Sequence, residues 1–136
     1  MRAILDPNAI ISAVLSPGGT PARVLRLWLE GKFELLASPL LLAELERALA
    51  YPKLRERIRP AEAKRLVEWL GREATLAPDP EQAPAARSAD PGDDYLLALA
   101  EGAHAVLVSG DRHLLALSDE LPILSPRQFL DALPRD

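Results

Sequence analysis

A buried strand that ends in a polar turn is clearest at Ala105-Val106-Leu107-Val108-Ser109-Gly110-Asp111. The first four residues are apolar and glycines flank them, which is typical of a short buried strand. A second apolar run, Ala3-Ile4-Leu5, leads directly into Asp6. A carboxylate therefore follows each predicted strand closely: Asp6 comes directly after Leu5, and Asp111 comes after Val108, Ser109 and Gly110.

Helical patterns alternate with such strands along the chain. Further strands are predicted at residues 33–36, 74–77 and 122–124, and helices at 9–15, 20–30, 39–51, from 60 onward, 93–101, after 111 and after 125. Thr20 is expected to cap its helix, Gly102 to end the helix at 93–101, and residues 78–92 to form a surface loop. This alternation predicts an α/β fold: a three-layer α/β/α sandwich around a mostly parallel sheet of about four to five strands.

The chain has 136 residues, 16 Lys and Arg, 20 Asp and Glu, and no Cys. This length predicts a single domain over residues 1–136. The absence of Cys excludes a disulfide framework, a thiolate zinc site and a cysteine nucleophile. Because no apolar run approaches the roughly 18 residues of a membrane span, and Asp6 interrupts the N-terminal apolar run, we expect no membrane contact and a cytoplasmic location.

The net charge of −4 is unevenly distributed. Residues 79–120 contain nine acids and two arginines, whereas residues 53–65 contain six cations and two acids. The six cations are Lys53, Arg55, Arg57, Arg59, Lys64 and Arg65. Such a run is often only a solvated helix face, but arginine-rich segments also suit contact with phosphate groups.

In an open parallel sheet, ligands bind beyond the carboxyl ends of the strands, and acidic residues are concentrated there in this sequence. They are Asp6, Glu44, Asp93, Asp94 and Asp111. Each aspartate also stands at a helix start, where it could simply act as an N-cap. Glu44 is too far inside its helix to be a cap, but Glu46 lies at a similar angle to the apolar stripe, so the helical pattern does not choose between the two glutamates.

Carboxylates gathered at one edge raise one another's pKa, and a bound cation removes that cost. Ligands that are all oxygen indicate a hard cation, either Mg²⁺ or Mn²⁺. Such an ion activates water for phosphodiester hydrolysis.

Four blocks of the sequence, 4–13, 38–44, 90–100 and 106–115, together resemble the PIN-domain family in its small, single-domain, VapC-like toxin branch. The resemblance implies an Mg²⁺- or Mn²⁺-dependent endoribonuclease. Its catalytic and metal-binding carboxylates would be Asp6, Glu44, Asp94 and Asp111. Its supporting residues would be Asn8, Ser109 and Asp93, the last as a one-residue competitor of Asp94. Pro7 and Ser109 depart from the family pattern, since both positions are commonly Thr.

The resemblance also implies partners and a mechanism. RNA would be cut by an activated water, the cations at 53–65 would hold the RNA backbone or an acidic partner, and a small antitoxin protein and a homodimer would be expected. The main alternative is an inactive PIN-like module that binds RNA or protein. A haloacid-dehalogenase-like phosphatase is disfavoured because Asn8 replaces the second Asp of its motif, and a receiver domain because no Lys follows Lys64.

Overall fold

The computed structural model describes residues 1–85 and 87–134. Its centre is a five-stranded sheet in the order β3-β2-β1-β4-β5. The strands are β1 (Arg2–Leu5), β2 (Glu34–Ala37), β3 (Thr75–Leu76), β4 (Val106–Val108) and β5 (Ile123–Leu124). All neighbouring strands are parallel. The predicted three-layer α/β/α sandwich is confirmed.

Helices connect the strands. They are α1 (Pro7–Leu15), α2 (Thr20–Leu29), α3 (Pro39–Leu49), α4 (Pro52–Arg55), α5 (Pro60–Glu73), α6 (Asp94–Ala103), α7 (Arg112–Leu115) and α8 (Pro126–Ala132), with a 3-10 turn at Pro91–Asp93. Five of them begin at a proline, whose fixed φ and missing N–H suit the first helical position. Within residues 1–85 and 87–134, no helix is both long and apolar enough to span a bilayer.

The sheet is covered on both faces, so its central strands are almost wholly apolar. Ile4 and Leu107 are completely buried and pair across β1 and β4. Beneath one end of the sheet, Phe33 and Phe129 meet edge to face with ring centroids 4.9 Å apart. This core fixes the position of the end of β1 relative to the end of β4, and the candidate site lies at these two strand ends.

The order of the strands creates a switch point between β1 and β4. The chain runs outward from β1 to β2 and β3, and then returns to place β4 on the other side of β1. The connections from β1 and from β4 therefore leave in opposite directions, which opens a crevice at the carboxyl ends of these two strands.

Helices α3 and α5 form an antiparallel hairpin. Gly71 near the end of α5 lies beside Leu42 near the start of α3. At the other end, Glu46 and Lys64 line one groove of about 280 Å³ between the two helices. The turn of the hairpin contains α4, a short helix that the sequence did not predict, and carries most of the cationic segment.

Several helix boundaries differ from the prediction: α1 begins at Pro7 rather than at residue 9, and α3 ends at Leu49 rather than at residue 51. Two further differences concern α2 and α6. Thr20 is the first residue of α2 and Gly19 occupies the cap position. Helix α6 continues past Gly102 to Ala103, and His104 takes the left-handed conformation at φ 52°. Gly102 serves close packing instead, because a Cβ there would lie 2.9 Å from Pro80. In the predicted loop at 78–92, Ala86 lies outside the described residues.

His104 should be a site where glycine stabilises the fold. A non-glycine residue in the left-handed region costs about 1 kcal/mol, so His104→Gly should raise the melting temperature by about 3 °C. The matched control is His113→Gly, which places glycine inside the helix α7 and should lower the melting temperature by a similar amount. Equal shifts of the same sign in thermal melting would contradict this interpretation of His104.

Candidate active site

Asp6 connects the two strands at the switch point. Its backbone N–H donates to the carbonyl of Val108 at 3.0 Å, and the residue as a whole is 5% exposed. Carboxylate Oδ1 accepts the N–H of Asn8 at 2.9 Å, and Oδ2 accepts the hydroxyl of Ser109 at 2.7 Å. The predicted cap role of Asp6 is therefore met, and the same carboxylate is bonded to the end of β4.

Burial raises the pKa of Asp6 above its usual 3.8, the hydrogen bonds from Asn8 and Ser109 oppose this, and Asp111 raises the pKa further. Ser109 Oγ accepts the N–H of Asp111 at 3.0 Å, so one hydroxyl joins the two aspartates. Asn8, Ser109 and Asp111 thus lie around Asp6. The sequence analysis expected these residues near one another, at the carboxyl ends of the strands.

Asp93 faces the same acids. It occupies the N-cap position of α6, but its carboxylate makes no capping hydrogen bond to the described backbone. Burial raises the pKa of Asp93 to about 6, with further contributions from Asp6, Asp90 and Asp111. This carboxyl therefore lies within the field of the other acids at the switch point.

Asp94 is directed towards the preceding loop. Its Oδ1 accepts the N–H of Ser88 at 3.0 Å, and its Oδ2 lies 3.2 Å from Nη1 of Arg87. Only 17% of its side chain is exposed. Asp94 thus holds the end of the loop, while its neighbour Asp93 faces Asp6.

A cleft of about 180 Å³ lies beside these acids. It is lined by Asp6, Pro7, Asn8, Glu44, Arg47, Ala48, Tyr51, Asp90, Asp93 and Tyr95. The structure therefore separates the two glutamates that the helical pattern left equivalent. Glu44 faces the cleft with Asp6, whereas Glu46 lines the groove between α3 and α5.

Asp111 stands at the edge of a second groove. It caps α7 by accepting the N–H of His113 at 2.7 Å. With Asn8, Ser12 and Gly110 it lines a groove of about 340 Å³. Because Asn8 lines both this groove and the cleft at Asp6, the two depressions adjoin at that residue.

The donor set suits a hard divalent cation in its chemistry, because it consists of carboxylates, and burial together with the charges of neighbouring acids raises the pKa of Asp6 and Asp93. Across the part of the chain that the structure describes, however, no three acidic or histidine side chains are already gathered around one point. Glu44 and Asp94 are each turned towards an arginine. A cation would be held by Asp6 and Asp93 first, and Glu44 would have to turn to join them.

The predicted nucleic-acid-binding cations are all exposed and lie on α4, α5 and the turns around them. They are Lys53, Arg55, Arg57, Arg59, Lys64 and Arg65. Arg59 and Lys64 have loose ion pairs on α5, at 3.8 Å to Glu62 and 4.0 Å to Glu68. The cations do not line the cleft, but Tyr51, at the base of the same turn, does.

Sequence reasoning missed Arg47, Tyr51 and Tyr95. Arg47 follows Glu44 by one helical turn and Tyr51 follows Arg47 by another, a spacing visible in the sequence. Burial, and then the charges of Asp6 and Glu44, raise the pKa of Tyr95 above its usual value. The phenol therefore stays protonated and keeps a donor in an acidic cleft.

The sequence pattern of the PIN domain matches residues 2–113. This chain therefore belongs to the PIN-domain family, which is a family of nucleases. A relative in Methanocaldococcus jannaschii, the uncharacterized protein MJ1680, is 26% identical over 143 residues, which cover 96% of this chain and 90% of the relative.

Solved structures share the fold. A chain of VapBC2 from Rickettsia felis, bound to a DNA fragment from their promoter, superposes with a TM-score of 0.65 at 12% identity, covering 92% of this chain and 98% of that one. A chain of FitAcB from Neisseria gonorrhoeae gives 0.59 at 19% identity over 92% and 98%. A chain of FitAB bound to the IR36 DNA fragment gives 0.60 at 19% identity over 91% and 94%. At these identities the similarity concerns the fold.

Asp93 should make stability depend on pH. Its folded pKa of about 6 lies above the usual 3.8, so its favourable contribution is complete below pH 3.8 and is lost as the pH rises through 6. In chelated buffer at pH 7.5, Asp93→Asn should therefore stabilise the protein by about 1 kcal/mol, a value discounted for solvent screening.

Thermal melting of the Asp93→Asn variant and the unsubstituted protein between pH 4 and 8 measures this difference. The advantage of the variant should shrink as the pH falls from 7 to 4. An advantage that is constant across this range would show that Asp93 is not a destabilising charge.

Proposed function

We propose that this PIN domain is a divalent-metal-dependent endoribonuclease that uses Mg²⁺ or Mn²⁺. The observation that supports it best is the buried carboxylate of Asp6, bonded to Ser109 at the switch point and surrounded by the charges of Asp93 and Asp111. Keeping a buried acid among other acids costs stability, and a cation that the site binds would offset that cost.

The proposed ligands are Asp6, Asp93 and Glu44, with Asp111 joining directly or through water. The register of the apolar residues favours Asp94 as the third carboxylate, but the positions of the side chains support Asp93, and Asp94 stays a prediction. When bound, the cation would activate water and stabilise the leaving oxygen. Ser109 and the N–H of Asn8 would hold Asp6 in place.

The rest of the cleft suits a single strand of RNA. Tyr95 offers a hydroxyl donor beside the acids, and Tyr51 offers a half-exposed ring on which a base could stack. The groove at Ser12 and Gly110 would continue the path beyond Asn8. The exposed cations at the hairpin turn would hold the backbone farther from the cut.

The VapBC2 and FitAB structures are toxin–antitoxin complexes bound to DNA, and they support a second part of the proposal. This chain would be the toxin of a toxin–antitoxin pair, it would bind a small antitoxin protein, and it would form a homodimer in the cytoplasm.

A second candidate function is a PIN-like module that binds RNA or protein without cutting it. The two ion pairs favour this alternative, because Arg47 and Arg87 neutralise Glu44 and Asp94. Both pairs are partly exposed, and exposed pairs are worth about 0–1 kcal/mol, so a divalent cation could displace them.

Cleavage of mixed RNA with Mn²⁺ tests the nuclease. Asp6→Asn should lower the rate at least about 100-fold, because a first ligand is lost, and Asp93→Asn should lower it by a similar factor. Asp94→Asn should have the smaller effect and should also loosen the loop that it holds. Gel analysis of product formation with and without chelator measures the rates.

Arg2→Met, at the amino end of the central strand β1, is a control that should cleave normally. If highly purified protein leaves RNA intact at every Mn²⁺ concentration, the binding module becomes the better interpretation. If Asp94→Asn is the more damaging of the two aspartate variants, the register of the sequence is the better guide to the third ligand.

Mn²⁺ should also raise the melting temperature, because an ion that binds only the folded protein stabilises it. At a concentration about 100 times its dissociation constant the gain is about 2.7 kcal/mol. In Asp6→Asn the gain should be much smaller. Differential scanning calorimetry measures both, and an equal gain in the two proteins would place Mn²⁺ elsewhere.

A further inference from the structure

Arg47 holds Glu44 inside the cleft. Its Nη2 lies 2.7 Å from Oε2 of Glu44, and its Nε lies 3.3 Å from each carboxylate oxygen. Its Nη1 donates to the hydroxyl of Tyr51 at 3.1 Å, and the guanidinium carbon lies 5.9 Å from the centroid of that ring. Every nitrogen of the guanidinium group therefore has a partner, and all partners are on the same helix or directly after it.

This contact occupies the carboxylate of a predicted metal ligand. Glu44 lines the same cleft as Asp6 and Asp93, yet both of its carboxylate oxygens are taken by Arg47. Asp93, in contrast, lies among other acids of the site, and the charges of Asp6, Asp90 and Asp111 act on it. Among the described residues that line the cleft, Arg47 is the one cation.

The ion pair between Glu44 and Arg47 can exchange its partners. Its side chains are 63% and 38% exposed, so water can replace either partner at little cost. The bond to Tyr51 does not involve Glu44, so it can keep the guanidinium at the edge of the cleft after Glu44 has turned. A guanidinium held there presents two parallel N–H groups, which match the oxygens of a phosphate.

We propose that Arg47 is a positioning residue with two alternative partners, the carboxylate of Glu44 in the cation-free cleft and a phosphate group of RNA when Glu44 turns to a divalent cation. This inference rests on the proposed function. Arg47 therefore competes with the cation for Glu44. Once Glu44 has bound the cation, Arg47 is free to bind a phosphate group of the substrate.

The first test measures Mn²⁺ binding to the chelator-treated full chain by electron paramagnetic resonance. Arg47→Met removes the competitor, so Mn²⁺ should bind about two- to fivefold more tightly, the factor that an exposed ion pair supplies. A purely structural role for Arg47 would move the affinity in the opposite direction. Arg2→Met is the matched control: it breaks an exposed pair with Glu34 at 2.9 Å, removes the same charge and lies at the first residue of β1.

The second test measures binding of a fluorescent single-stranded RNA by anisotropy, with Ca²⁺ in place of Mn²⁺ and Asp6 intact. Arg47→Met should bind RNA about tenfold more weakly, whereas Arg47→Lys should retain part of the affinity because it keeps the charge. Arg2→Met should bind as the unsubstituted protein does.

The inference is overturned if Arg47→Met binds Mn²⁺ no more tightly than the Arg2→Met control, or if its affinity for RNA is unchanged. If the unsubstituted protein cleaves RNA with Mn²⁺ while either result holds, this inference fails and the proposed function stands. If the unsubstituted protein binds neither Mn²⁺ nor RNA, the proposed function fails, and the inference fails with it.

Discussion

The hydrogen bond from the Ser109 hydroxyl to the Asp6 carboxylate, at 2.7 Å, is the contact around which the site is arranged. It joins the carboxyl ends of β1 and β4, which are separated by most of the chain. Both groups are buried, and a buried carboxylate without such donors would be costly. Because the same hydroxyl accepts the N–H of Asp111, the positions of both aspartates follow from it. The parallel sheet beneath sets the distance between these strand ends.

The charges of the site are balanced in two different ways. Burial raises the pKa of both Asp6 and Asp93, the charge of Asp111 raises that of Asp6 further, and the charge of Asp6 raises that of Asp93. Glu44 and Asp94, in contrast, are paired with arginines that lie near them in the chain. The unbalanced pair marks where a cation would gain most from binding. The arginine pairs mark where a carboxylate could exchange its partner, since the side chains of both arginines are 63% exposed.

Local sequence patterns predicted the structure correctly where a residue type by itself favours a helix start or a strand. Prolines indicated the starts of α3, α5 and α8, and short apolar runs indicated the strands. They failed where a distant segment intervenes. Gly102 looked like a helix stop, but it is small because Pro80 packs against it. Asp93 and Asp94 are adjacent in sequence, and only the path of the loop before α6 decides which of them faces Asp6. Asp94 had the better register, yet Arg87 and Ser88 hold it.

By itself, the sequence determined the kinds of element, their order and the acids at the strand ends, because hydrophobic period, proline and glycine act over a few residues. The sequence also carried the resemblance to the PIN-domain family, which the match over residues 2–113 confirmed. The tertiary structure alone decided which carboxylates share a cleft, since that depends on strand order and on how α3 leaves the sheet. It placed Glu44 in the cleft and Glu46 outside it, although the two residues are two positions apart on one helix. The packing of the sheet and its helices brings these carboxylates together, and no local sequence pattern encodes that arrangement.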